Sequence, residues 1–96
     1  MKGGFLYILA NRKNGALYTG VTADIAARMM RHKAGEGSRF CCKYGIDKLV
    51  YIEPHATIEN AIAREKAVKK WRRAWKLELI ARANPDWRDL FFDLNR

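Results

Sequence analysis

The chain has 96 residues, 49% of them hydrophobic, and a formal net charge of +9. That length suits one small domain burying about 60–70% of its unfolded surface and leaves no room for a multidomain enzyme. The basic excess points to an anionic partner, nucleic acid first and an acidic membrane surface second.

Phe5-Leu6-Tyr7-Ile8-Leu9 is rich in β-branched and aromatic residues, and Asn14-Gly15 is a strong hairpin signal. Leu17 to Val21 reads as the returning strand. The apolar run Phe5 to Ala10 is too short for a secretory signal or a membrane span. Side chains alternate along a strand, so Tyr7 shares a face with Phe5 and Leu9, and Tyr18 shares one with Gly20. Gly20 is read as open space beside Tyr18 for a ligand or another backbone. Thr22 or Asp24 caps a helix over Ile25 to Lys33. Ile25, Arg28, Met29 and His32 fall on one of its faces, with Arg28 and His32 one turn apart. An arginine and a histidine on an apolar face need polar partners. Taken singly, Arg28 reads as a snorkelling side chain and His32 as a satisfied histidine. Together, after two tyrosine-bearing strands, they read as a site.

Between Gly37 and Gly45, Ser38 to Tyr44 reads as a short helix capped by Ser38 and stopped by Gly45. Its Arg39 and Lys43 are candidate nucleic-acid contacts. Cys41 and Cys42 are adjacent, so they neither staple distant segments nor form a CxxC zinc pair. They read as reduced thiols of a cytoplasmic protein. Lys48 to Glu53 is a third strand, ended by Pro54. Thr57 then caps a helix running at least to Trp71, with a buried stripe of Ile58, Ala61, Ile62 and Val68. Glu65 falls within that stripe. A carboxylate there must be paired, with Arg28 the expected partner, or protonated, or bound to a hard divalent cation. Arg64 to Lys76 holds seven basic residues. Lys69, Lys70, Arg72 and Arg73 are either a solvated face or a phosphate-tracking surface. Trp71 and Trp75 read as packing residues, with a bend or break near Trp71 to Arg73. The next helix ends near Asn84 before Pro85, and Asp86 to Phe91 reads as a last short helix packing Trp87, Leu90 and Phe91 onto the core.

Phe5-Leu6-Tyr7 and Tyr18-Thr19-Gly20, followed by Arg28 and His32, resemble the two motifs and the helix of the GIY-YIG nucleases. The first motif keeps only its tyrosine, and the second loses its isoleucine. Arg64-Glu65-Lys66, Trp71, Asn84-Pro85, Trp87 and Leu90 resemble a bacterial subgroup of small stand-alone proteins of that kind, so the likeness covers nearly the whole chain. The resemblance implies an α+β fold over residues 1–96, a three-stranded antiparallel sheet flanked by helices in β-β-α-β-α-α order. It implies a metal-dependent endonuclease hydrolysing phosphodiester bonds, DNA being the first expectation. Tyr7, Tyr18, Arg28, His32 and Glu65 would be catalytic, with Glu65 holding one Mg²⁺ or Mn²⁺ and either tyrosine serving as general base. Larger enzymes of this kind carry a separate DNA-binding domain, so low sequence specificity and a monomer or weak dimer are expected. The alternatives are a non-catalytic basic module that binds nucleic acid and a protein-interaction domain with an acidic partner.

Overall fold

The structure, a computed structural model, describes residues 3–94. Its elements are β1 (Gly4–Ala10), β2 (Leu17–Thr22), α1 (Ile25–Lys33), α2 (Arg39–Tyr44), β3 (Lys48–His55), α3 (Ile58–Lys69) and α4 (Arg73–Ala83), with a closing 3-10 helix over Leu90–Asp93. The strands form one antiparallel sheet in the order β2-β1-β3. This is the expected α+β architecture, with the six-residue α2 inserted ahead of the third strand.

Placing β1 in the centre explains why Phe5 to Ala10 is apolar without alternation: both of its faces are covered. Leu6, Ile8 and Ala10 pack with Val50, Val68, Ile80 and Trp87 on one side. Tyr7 and Leu9 pack with Ile25, Met29, Cys41, Ile46 and Leu49 on the other. The sheet is thus sandwiched between α3 with α4 and α1 with α2. Each fully buried Leu or Ile contributes about 1.5–3 kcal/mol relative to exposure, so two such layers suffice for a chain this short.

Local chemistry sets the helix ends. Asp24, not Thr22, caps α1, accepting from Ala27 N at 3.1 Å, while Thr22 Oγ1 braces the Asp24 backbone. Ser38 caps α2, and Gly45 ends it in the left-handed region at φ 63°. Thr57 caps α3 through Asn60 N.

Asn14-Gly15 lies in the β1–β2 hairpin as expected, within a six-residue connection closed by Gly15 N donating to Arg12 O. Three expectations need correction. Pro54 does not end β3; it lies opposite Phe5, tolerated because β3 is an edge strand and the missing N–H faces outward. The helix expected to reach Trp71 stops at Lys69, and α4 starts at Arg73, so the break falls where the charged stripe and the apolar stripe conflict. The last short helix comes later than residues 86–91 and is a 3-10 turn over Leu90–Asp93. Ahead of it Trp87 adopts φ 54°, a costly conformation for a bulky residue. Asn84 holds it there, with Trp87 N donating to Asn84 O and the Asn84 side chain bonding Val50 O, Arg88 O and Arg88 N. The tail then crosses from one core, where Trp87 is buried, to the other, where Leu90 and Phe91 pack. Asp89 secures it with hydrogen bonds to Leu49 N and an ion pair to Lys33.

Candidate active site

Pairing sets the two tyrosines on one side of the sheet. Tyr7 lies opposite Gly20, and Tyr18 opposite Leu9. A Cβ at Gly20 would sit 2.5 Å from both Cζ and Oη of Tyr7. The space read as room for a ligand is therefore filled by the Tyr7 phenol, and glycine at position 20 is what lets that ring lie across β2.

α1 covers this face with the side predicted for it. Tyr7, Tyr18 and His32 form a triangle of rings with centroids 6.5 Å (Tyr7–Tyr18), 6.2 Å (Tyr7–His32) and 6.1 Å (Tyr18–His32) apart. Arg28 Nη1 donates to Tyr7 Oη at 3.3 Å. A cleft of about 300 Å³ opens over Tyr18, Arg28 and His32, with Arg31, Glu36, Gly37 and Ser38 completing its walls. Four of the five residues expected to be catalytic thus converge.

Burial sets their protonation. Tyr7 is fully buried, which pushes its phenol above the ordinary value against the pull of the Arg28 hydrogen bond and charge. His32 is 7% exposed, and burial together with Arg28 and Arg31 pulls its pKa below 6.5. The resting site therefore holds a protonated phenol and a neutral imidazole. His32 Nδ1 has no hydrogen-bond partner among the described residues, an unusual state for a buried polar atom. A Cβ at Gly37 would come within 2.2 Å of that nitrogen, so the loop closes onto the imidazole only because residue 37 is glycine.

Glu65 stands apart from this group. Its partner is Lys69 on the same helix, Nζ to Oε2 at 2.7 Å, and not Arg28 as expected. Its side chain is 11% exposed and that of Lys69 51%. Glu65 pushes the Lys69 pKa up, chiefly through the hydrogen bond. α3 packs on β2, the edge strand that carries Tyr18. Among the described residues no three His, Cys, Asp or Glu side chains gather as a metal cage. The donor set still fits Mg²⁺ or Mn²⁺, which bind through one or two carboxylates and take water and phosphate oxygens for the rest. The Lys69 ammonium occupies Oε2, so a metal there would have to displace it.

A second carboxylate, the half-buried Glu53, is spoken for. Glu53 accepts from Tyr51 at 2.7 Å, contacts His55 Nε2 at 2.7 Å and receives Arg64 on both oxygens at 2.9 and 3.3 Å. Burial alone would raise its pKa, yet the bonds from Tyr51, Arg64 and His55 bring it below the usual carboxylate value, and the Tyr51 phenol is pushed up to about 12. Glu53 is a structural hub that sequence reasoning missed; its partners lie two residues apart on β3 and eleven away on α3.

The basic residues separate in the same way. Arg39, Lys43 and Lys70 are exposed. Lys69 is engaged by Glu65, and Arg72 stacks 4.7 Å from the Trp75 ring centroid. Arg73 donates to Asn14 O and Gly15 O at 2.7 and 2.6 Å, so its guanidinium ties α4 to the β1–β2 connection. Trp75, expected in the packing, is half exposed, whereas Trp71 packs against the core. Cys41 is buried and Cys42 exposed, both free. Ser38, Gly37, Arg31 and Glu36 in the cleft wall were not foreseen; the paired glycines Gly35 and Gly37 were the available signal.

Comparison with known proteins agrees with this geometry. The chain is 36% identical over 76 residues to a UPF0213 protein of Staphylococcus epidermidis, 79% of this chain and 92% of that one. It is 36% identical over 80 residues to a UPF0213 protein of Staphylococcus aureus, 83% and 96% of the two chains. The solution NMR structure of a UPF0213 protein from Bacillus halodurans resembles it with a TM-score of 0.56 and 29% identity, covering 91% of this chain and 92% of that one. The family model of the GIY-YIG catalytic domain matches residues 3–78, which include every residue of the cleft together with Glu65. The chain belongs to the GIY-YIG family.

Proposed function

We propose that this protein is a metal-dependent endonuclease that hydrolyses phosphodiester bonds of nucleic acid, DNA in the first place, with low intrinsic sequence specificity. The observation that carries the reading is the convergence of Tyr7, Tyr18 and His32 with the Arg28 guanidinium at one cleft of a chain with net charge +9. Arg28 lines the cleft and can bind a phosphate oxygen, offsetting the charge that grows there in the transition state. Its Nη1 already meets Tyr7 Oη, so a phenolate forming at that oxygen faces a cation. Tyr7 is protonated at rest, so it can act as a base only after giving up its phenolic proton, and the neutral His32 imidazole is the group able to take that proton and leave a phenolate to accept one from water. Tyr18, at the β2 edge, positions the phosphate or the water. Glu65 would hold the divalent cation, with Lys69 swinging aside into solvent. When bound, the cation supplies Lewis-acid stabilisation of the phosphate.

No described helix is long and apolar enough to cross a membrane. The proposal takes the protein to act in the cytoplasm as one domain, a monomer or weak dimer. The Lys69–Glu65 ion pair favours a second reading, a basic module that binds nucleic acid without turnover, because the resting carboxylate is neutralised. The deciding experiment incubates purified protein with labelled single-stranded, duplex and branched DNA and with RNA, in Mg²⁺, Mn²⁺ or EDTA. Cleavage only in the metal lanes supports the nuclease. Binding without product in any lane establishes the second reading instead.

A further inference from the structure

The short helix α2 leaves two aromatic rings half in water beside the cleft. Phe40 and Tyr44, one turn apart, are each 47% exposed, with ring centroids 5.0 Å apart and planes inclined at 56°. A second cavity of about 310 Å³ opens against Phe40, lined otherwise by Ala16, Leu17, Arg73 and Lys76. The linings of the two cavities adjoin in sequence on both walls, across the exposed edge of β2, since Leu17 and Tyr18 pack toward opposite faces of the sheet. Leu17 lines the second and Tyr18 the first; Ser38 lines the first and Phe40 the second. None of the five residues lining the Phe40 cavity is acidic, and Lys43 Nζ lies 5.3 Å from the Tyr44 ring centroid. The surface therefore offers π-faces surrounded by cations. A bare apolar peptide would leave those cations unanswered, and a duplex keeps its base faces stacked inside. An unpaired nucleotide matches both properties, with a base for the ring and a phosphate for the lysines.

We infer that the Phe40–Tyr44 ridge is a stacking platform for an unpaired nucleobase adjoining the phosphate held in the Tyr18–Arg28–His32 cleft. Given the proposed nuclease reading, the substrate class is nucleic acid with unpaired bases at the cleavage position. Phe40 is then a specificity residue, since it selects the form of the strand and takes no part in the chemistry.

The test reads binding separately from cleavage. Anisotropy titrations in EDTA compare a labelled oligothymidylate with a labelled hairpin duplex for the wild-type protein, Phe40→Ala and Phe40→Trp. Losing one base–aromatic stack should weaken oligothymidylate binding about 5- to 150-fold. Duplex binding, carried by phosphate contacts, should change little. Phe40→Trp should restore the single-strand affinity. An equal loss on both probes, no loss on either, or a wild-type protein that does not bind oligothymidylate would overturn the platform, the last result pointing to a protein partner. Tyr44→Ala, from the same ridge, should show the same selectivity and stands in if Phe40→Ala loses its circular-dichroism signature of folding. Cleavage assays of the same proteins in Mn²⁺ separate the two ideas. Phe40-dependent binding without any product upholds the platform and removes the nuclease, whereas cleavage with Phe40-independent binding does the reverse.

Discussion

Glu65→Gln separates a structural carboxylate from a working one, because the two roles differ in kind as well as size. The substitution keeps volume and shape and removes one negative charge. Its structural cost is small, since the partner Lys69 is half exposed and can turn its ammonium into water. Partly exposed pairs one helical turn apart contribute about 0.3–0.5 kcal/mol. In a domain of this size that corresponds to a melting-temperature drop of about 1–4 °C. Had Arg28 been the partner, a buried guanidinium left unpaired would have cost about 3–5 kcal/mol; the observed pairing removes that possibility. The functional cost should be large. Without the carboxylate, metal-dependent cleavage should fall by orders of magnitude, while nucleic-acid affinity stays the same or rises, because an anion near the phosphate has gone. The assay pairs thermal melts of both proteins, with and without Mn²⁺, with the substrate panel. Mn²⁺ should raise the wild-type melting temperature and leave the variant unmoved. A variant that cleaves like wild type would refute the metal-ligand role. A melting-temperature loss several times larger than calculated, insensitive to Mn²⁺, would show that Glu65 is structural.

Gly20→Ala drives a methyl group into the Tyr7 phenol, which is fully buried and cannot swing away. A loss of about 1–3 kcal/mol is expected, together with lost cleavage, and an unchanged denaturation midpoint would show that the ring has room. His32 has its folded pKa held below 6.5, so the unfolded chain binds its proton first as pH falls. Its contribution to stability is therefore complete above 6.5 and lost as pH drops from there through the lower folded pKa. Melts across that window should decline for wild type and flatten for His32→Asn; parallel curves would contradict the assignment. With a net charge of +9, binding should weaken steeply with salt, and Lys70→Glu should reduce the log–log slope by about one for every sequence tested. A flat salt dependence would favour an acidic protein partner.

The fold was legible where one force dominated. Unbroken apolar content in β1 required burial on both faces, and Asp24, Ser38, Thr57 and Gly45 end or begin helices through local chemistry that needs no tertiary context. It was illegible where tertiary contacts overrode local preference. Pro54 stays in a strand because β3 lies at the sheet edge, and Trp87 accepts a left-handed backbone because Asn84 clamps it from α4. Asn84 is buried on the face opposite the cleft and spends its amide on Val50 and Arg88, so its role is to hold the tail.

The site divides along the same line. Tyr7, Tyr18, Arg28 and His32 could be placed together from strand alternation and helical spacing, because all four belong to the layer between the sheet and α1. Glu65 could not, since it rises from α3, whose Val68 packs into the opposite core. Two layers separated by a sheet can share one substrate only around an exposed strand edge. β2 is an edge strand, carries Tyr18 and packs on α3 as well as on β1. An acidic residue on α3 facing the middle of the sheet would be sealed from the cleft by β1. Position 65 lies one helical turn before the Lys69 terminus of α3 and stays within reach of solvent. Its 11% side-chain exposure is low enough to strengthen a cation's binding and open enough to admit one. The edge position of β2 is therefore what would let one carboxylate from the far layer serve the proposed site on the near one.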